Sequence, residues 1–152
     1  MKVEFHSGVA DKLGTACRFL VAAQAAGASV VVCGDDATLA RLDITLWTFD
    51  PLSFVAHSRV RGNNAPTTNV RAQAPAQAPA QAWLADNSRS VSSREVLLNL
   101  GPEMADGWEE FARVVEIVSA EPADADAGRG RWRQYSSRHG LELIHRPRAT
   151  GA

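Results

Sequence analysis

The sequence predicts an α/β protein: a three-layer α/β/α domain with a mostly parallel, Rossmann-like sheet. Three observations predict it. Short β-branched or apolar runs alternate along the chain with segments whose apolar residues recur at helical spacing, the order expected of βαβ units. Ser29 to Cys33 is valine-rich and without a polar interruption after its serine, the mark of a strand covered on both faces in a parallel sheet. At 152 residues and 45% hydrophobic content, the chain is long enough to bury such a core.

Val3-Glu4-Phe5 alternates as a first strand, and Ser7-Gly8 reads as its break. Val9 to Ala26 then carries Leu13, Cys17 and Leu20 at helical spacing, with Gly27 as a stop. After the strand Ser29 to Cys33, an aspartate of Gly34-Asp35-Asp36 caps a helix that places Leu39, Leu42 and Leu46 on one side. Pro51 cannot continue that helix, so Trp47 closes it and Ser53 to His57 opens another strand. His57, a lone histidine, reads as solvent-facing or hydrogen-bonded and not as a ligand.

The composition then changes. Ser58 to Gln81 holds Gly62-Asn63-Asn64, three prolines and an Ala/Pro/Gln repeat, so about 60–81 reads as a disordered or polyproline-like insertion, mildly basic through Arg59, Arg61 and Arg71. Strands follow at Ala82-Trp83-Leu84, Glu95 to Leu100 and Val114 to Val118. A helix is expected over Ala123 to His139, with Gly128 and Gly130 against it and Gly140 as its stop, and a last strand at Leu141 to Ile144. Residues 1–148 read as one domain, with Pro147 onward fraying into a tail that includes 149–152.

Composition excludes several function classes. No apolar run approaches the roughly 20 residues of a membrane span, and Met1 to Phe5 lacks a signal-peptide core, so a soluble cytoplasmic protein is expected. Cys17 and Cys33 lie in apolar segments without metal-ligand spacing and read as buried, reduced thiols. There is no GxGxxG, no GxxxxGK[ST] and no GxSxG, and two aspartates after the Val30-Val31-Val32 strand repel a phosphate, so no cofactor is expected. The net charge of −1 conceals a local imbalance: from Arg129 to Arg148 six arginines face one carboxylate, Glu142, while Glu121, Asp124 and Asp126 stand just before. That segment admits direct binding of single-stranded nucleic acid, with Trp132 and Tyr135 stacking on bases, as an alternative to a protein partner. A small nucleotide-dependent or hydrolytic enzyme is the remaining alternative.

Trp47 and Phe54 flank the Pro51 connection. They are either core residues or, since aromatics are enriched among interface anchors, a protein-binding corner. The Leu46-Trp47 pair, the Pro-containing connection and Ser53-Phe54-Val55-Ala56-His57, taken with the order of Val30 to Cys33, Leu97 to Leu100 and Phe111 to Val118, resemble the chi subunit family of the bacterial DNA polymerase III holoenzyme. The resemblance lapses between about Ser58 and Gln81 and at the last residues.

It implies a non-catalytic bridge in DNA replication, touching DNA only indirectly. One surface, with Trp47 and Phe54, would hold the psi subunit of the clamp loader. A second would take the acidic C-terminal tail of single-stranded-DNA-binding protein, with Val118 and Trp132 at pocket positions and Arg129 and Arg133 at basic ones. The chain departs from the family pattern at Ala125, where a lysine is expected, and at Trp132, where tyrosine is common.

Overall fold

The computed structural model describes residues 1–49, 55–60 and 81–147. In chain order the elements are β1 (Lys2–Val9), α1 (Lys12–Ala25), β2 (Val30–Cys33), α2 (Asp36–Thr48), β3 (His57–Val60), β4 (Ala82–Ala85), β5 (Val96–Asn99), β6 (Arg113–Ser119), α3 (Pro122–Ser136) and β7 (Glu142–Pro147). The strands form one seven-stranded sheet in the order β3-β4-β2-β5-β6-β1-β7, and every pairing among the described residues is parallel. Helices lie on both faces, so the architecture is the expected α/β Rossmann-like one.

Side-chain alternation sorts the core into two layers. Val30, Val32, Leu84, Leu98, Val115 and Ile117 point to the face covered by α1 and α2, where Leu20, Leu39, Leu42 and Leu46 meet them. Val31, Leu97, Val114 and Val118 point to the other face, where Tyr135 of α3, Trp108 and Phe111 close over them. All four residues of β2 are buried, as a central parallel strand requires.

The boundaries differ from expectation for identifiable reasons. Ser7-Gly8 does not end β1. Gly8 takes φ +70° and the register with β6 shifts between His6 and Val9, so the glycine makes a bulge and the strand continues. Consequently α1 begins at Lys12, where the Asp11 carboxylate accepts from the Gly14 amide at 3.0 Å, and Val9 belongs to the sheet. The stop at Gly27 holds, with φ +79°.

His57 opens β3 instead of closing a strand, and Arg59, counted with the insertion, sits in β3 and pairs with Asp36 at 2.8 Å and with Asp86. α3 ends at Ser136, three residues early, although Gly140 does take φ +81°. β7 runs through Pro147, which is tolerated because β7 is an edge strand bonded to β1 alone and the missing amide breaks no second ladder. The expected strand start at Ser53, Phe54, the body of the Ala/Pro/Gln insertion and the tail 149–152 lie outside the described residues.

Candidate partner-binding site

The site is assembled where α3 lies on β6 and β1. Gly128 lets the helix approach closely: a Cβ there would stand 2.7 Å from Val118 Cγ1 and 2.8 Å from its Cγ2. A buried polar group fixes the helix in that position. Glu116, in the middle of the apolar run of β6, accepts from Arg131 Nε at 2.9 Å, from the Tyr135 hydroxyl at 2.8 Å and from Asn99 Nδ2 at 3.0 Å. Arg131 also donates to the Pro102 carbonyl at 2.8 Å, and Asn99 to the Glu103 carbonyl at 2.7 Å. Burial pushes the Glu116 carboxyl up, and the Arg131 guanidinium, the Asn99 amide and the Tyr135 hydroxyl oppose that rise. The Tyr135 hydroxyl is raised by burial and then by the facing carboxylate.

Beside this anchor opens a pocket of about 530 Å³ whose lining includes Phe5, Val118, Ala125, Arg129, Trp132 and His145. Val118 is its buried floor and Trp132, half-buried, its wall. The indole packs edge-on against Phe5, with centroids 5.2 Å apart, and against His145 at 5.7 Å; the His145 ring is held by the Ser7 hydroxyl, 2.6 Å from its Nε2. Arg129 stands exposed at the rim. Its 2.9 Å pair with Asp126 joins two well-solvated groups, so exchanging that partner for another carboxylate costs little.

Val118, Arg129 and Trp132 are therefore brought together. Arg133 is exposed one turn beyond Arg129 and does not line the pocket, whose lining from α3 is Ala125, Gly128, Arg129 and Trp132. Two residues of the nucleic-acid alternative are withdrawn from solvent: Tyr135 is 1% exposed and packs edge-on against Phe5 and Trp108, and Arg131 is equally buried.

The second surface lies on α2. Trp47 is 61% exposed and Ile44, one turn earlier, 67%, so the core reading of Trp47 does not hold. Its ring lies 4.9 Å from that of His57, which is fixed between the Val55 carbonyl at 2.7 Å and Asp43 Oδ1 at 2.8 Å, a hydrogen-bonded histidine as expected. Phe54 lies outside the described residues.

At the C-terminal ends of the strands, where α/β proteins of this kind hold ligands, the helix starts are occupied by the protein's own carboxylates. Asp35 accepts from the Thr38 amide at 2.7 Å, and Asp124 from the Ser119 amide at 2.7 Å and from Lys12 at 3.1 Å. Among the described residues no cluster of His, Cys, Asp or Glu could hold a metal ion, and no helix is long and apolar enough to cross a membrane. Both cysteines are free and buried, and burial pushes the Cys17 thiol up to about 11 and the Cys33 thiol up to about 12.

A model of the family described as DNA polymerase III chi subunit, HolC, matches residues 1–143. The chain belongs to the DNA polymerase III chi subunit family. It is 32% identical over 125 residues to a protein of Pseudomonas aeruginosa named DNA polymerase III subunit chi, covering 82% of this chain and 78% of that one. It is 31% identical over 106 residues to the protein of that name from Escherichia coli, covering 70% of this chain and 65% of the other. Membership of this family places the chain in DNA replication.

Phe5, Ser7 and His145 of the pocket carry no local signal in the sequence of this chi-family chain, because β1 and β7 reach it only through the parallel pairing of β1 with β6 and with β7. Arg131 is likewise indistinguishable in the sequence from the surface arginines around it. A single glutamate inside Val114-Val115-Glu116-Ile117-Val118 was the available signal, since a carboxylate buried in a central strand requires a cationic partner.

Proposed function

We propose that the chain is a non-catalytic accessory subunit of the DNA polymerase III holoenzyme that bridges the clamp loader, through psi, to the C-terminal tail of single-stranded-DNA-binding protein. The observation that carries this reading is the pocket beside α3, an apolar floor of Val118, Phe5 and Trp132 with Arg129 at its rim. An apolar terminal side chain fills such a floor while a guanidinium takes the carboxylate beside it. Arg131 and Tyr135 are committed to Glu116 inside the protein, which supports a peptide over a phosphate backbone with stacked bases. The α2 surface with Ile44 and Trp47 suits the psi contact, since an exposed tryptophan beside an exposed isoleucine is a ready anchor.

The test is fluorescence anisotropy of a labelled acidic peptide ending in phenylalanine against labelled oligo-dT, at equal salt. The peptide is expected to bind and the oligonucleotide not to. Arg129→Ala weakens the peptide several-fold, and more steeply at low salt, because exposed charges are screened over about 10 Å at 0.1 M. A folded Arg129→Ala, Arg133→Ala variant with unchanged peptide binding overturns the pocket. For psi, Trp47→Ala weakens capture at least tenfold while the fold persists; unchanged capture removes Trp47 from that surface.

A further inference from the structure

The strands that floor the proposed tail pocket have a second face. Because side chains alternate across a strand, Phe5 and Val118 point toward α3, whereas Val9, Val115 and Ile117 belong to the layer beneath α1. On that side, between α1 and β7, lies a separate cavity of about 390 Å³ that shares no residue with the tail pocket. Its apolar wall is Phe19, half-buried, backed by Val9, Val115 and Ile117, and its mouth carries Arg18, Arg146, His6 and the Thr15 hydroxyl.

The charge balance at this mouth is positive. Arg18 and Arg146 are both exposed, and neither stands among the ion pairs of the described residues; Arg18 donates to Thr15 Oγ1 at 3.1 Å. The carboxylate nearest His6 is Glu4, 3.5 Å from Nε2, and it is already engaged by Arg113 Nη2 at 2.8 Å. The Arg113 guanidinium also lies over the Phe19 ring, 5.4 Å from its centroid, so it adds a further cation behind that wall. Two guanidiniums without a carboxylate partner among the described residues, set over an aromatic wall, are complementary to an anion that carries an apolar group.

We propose that this cavity is a second peptide site, on the opposite face of β1 and β6 from the tail pocket, which takes the terminal carboxylate and an apolar side chain of an acidic peptide. Arg18 and Arg146 hold the carboxylate and Phe19 receives the side chain. The proposal rests on the reading above only for the choice of probe.

The probe is a synthetic peptide, a run of aspartates closed by phenylalanine, titrated calorimetrically into the full chain and followed in parallel by methyl NMR. The expected stoichiometry is two peptides per chain. Arg18→Ala, Arg146→Ala removes one equivalent and Arg129→Ala, Arg133→Ala removes the other, each leaving the second affinity within about twofold. In the unmutated protein, Val115 and Ile117 methyls shift together with those of Val118, a readout that does not depend on how the variants fold. One equivalent, unaffected by Arg18→Ala, Arg146→Ala and without shifts at Val115 and Ile117, overturns the proposal. One equivalent that is lost only with Arg18 and Arg146 supports it and overturns the tail pocket instead. Two equivalents for the C-terminally amidated peptide, with unchanged affinity, also overturn it, since the arginines would then not be reading a terminal carboxylate.

Discussion

Two glycines of α3, Gly128 and Gly130, make one experiment on how the helix meets the sheet. Either one replaced by alanine gains the helix propensity that glycine forgoes, about 1 kcal/mol in a helix interior. At Gly130 a new Cβ finds only Arg133 Nη2, at 3.9 Å, so nothing offsets the gain and Gly130→Ala is expected to stabilise by about 1 kcal/mol. At Gly128 the same atom stands 2.7 and 2.8 Å from the two methyls of Val118. Val118 is 4% exposed and β-branched, with little freedom to turn aside, so the collision costs about 1–3 kcal/mol as overpacking. The propensity gain is common to both, and the difference between the variants isolates that packing cost. Urea denaturation of the two measures it: Gly130→Ala should unfold at higher urea than the unmutated chain and Gly128→Ala at the same or lower concentration. Gly128→Ala should also weaken the acidic peptide, because relief comes from moving α3 or Val118, and both bound the tail pocket. Equal stabilisation by the two alanines would refute the close packing of α3 on β6.

Three further outcomes follow from the buried and capping groups. Glu116→Gln leaves the Arg131 guanidinium buried opposite a neutral amide and should cost about 3–5 kcal/mol in urea unfolding, whereas a paired Glu116→Leu, Arg131→Met replacement should recover most of that loss; a paired variant no more stable than Glu116→Gln would show that the two groups do not act as a pair. Asp35 is held below the ordinary carboxylate range, first by the Thr38 amide, so its contribution is present above that range and is lost as the pH falls through it; Asp35→Ala should cost about 1 kcal/mol at pH 7 and progressively less in acid, and a cost that does not shrink contradicts the cap. Trp47→Ala should change unfolding by less than about 1 kcal/mol, because the side chain is mostly in solvent; a larger loss would return Trp47 to the core.

The sequence by itself determined the order of strands and helices, because that information is local. Leu39, Leu42 and Leu46 at helical spacing, the valines of β2, the Asp35 cap and the Gly27 stop each act within a few residues, and each is where the pattern put it. The Leu-Trp pair and the spacing of the apolar runs carried the family resemblance, and with it Val118, Arg129 and Trp132 as neighbours. The tertiary structure decided everything that depends on alternation between faces and on pairing across long separations. It turned Ser7-Gly8 into a bulge, made His57 the first residue of β3, withdrew Arg131 and Tyr135 into the Glu116 network and placed Trp47 in solvent. It also set Phe5 beside Trp132 and His145, both far from it in the chain, since a parallel sheet with β1 between β6 and β7 brings those strands under one helix. A charge count along the chain cannot separate a surface arginine from one paired inside, because that choice is made by the face of the helix that meets the sheet.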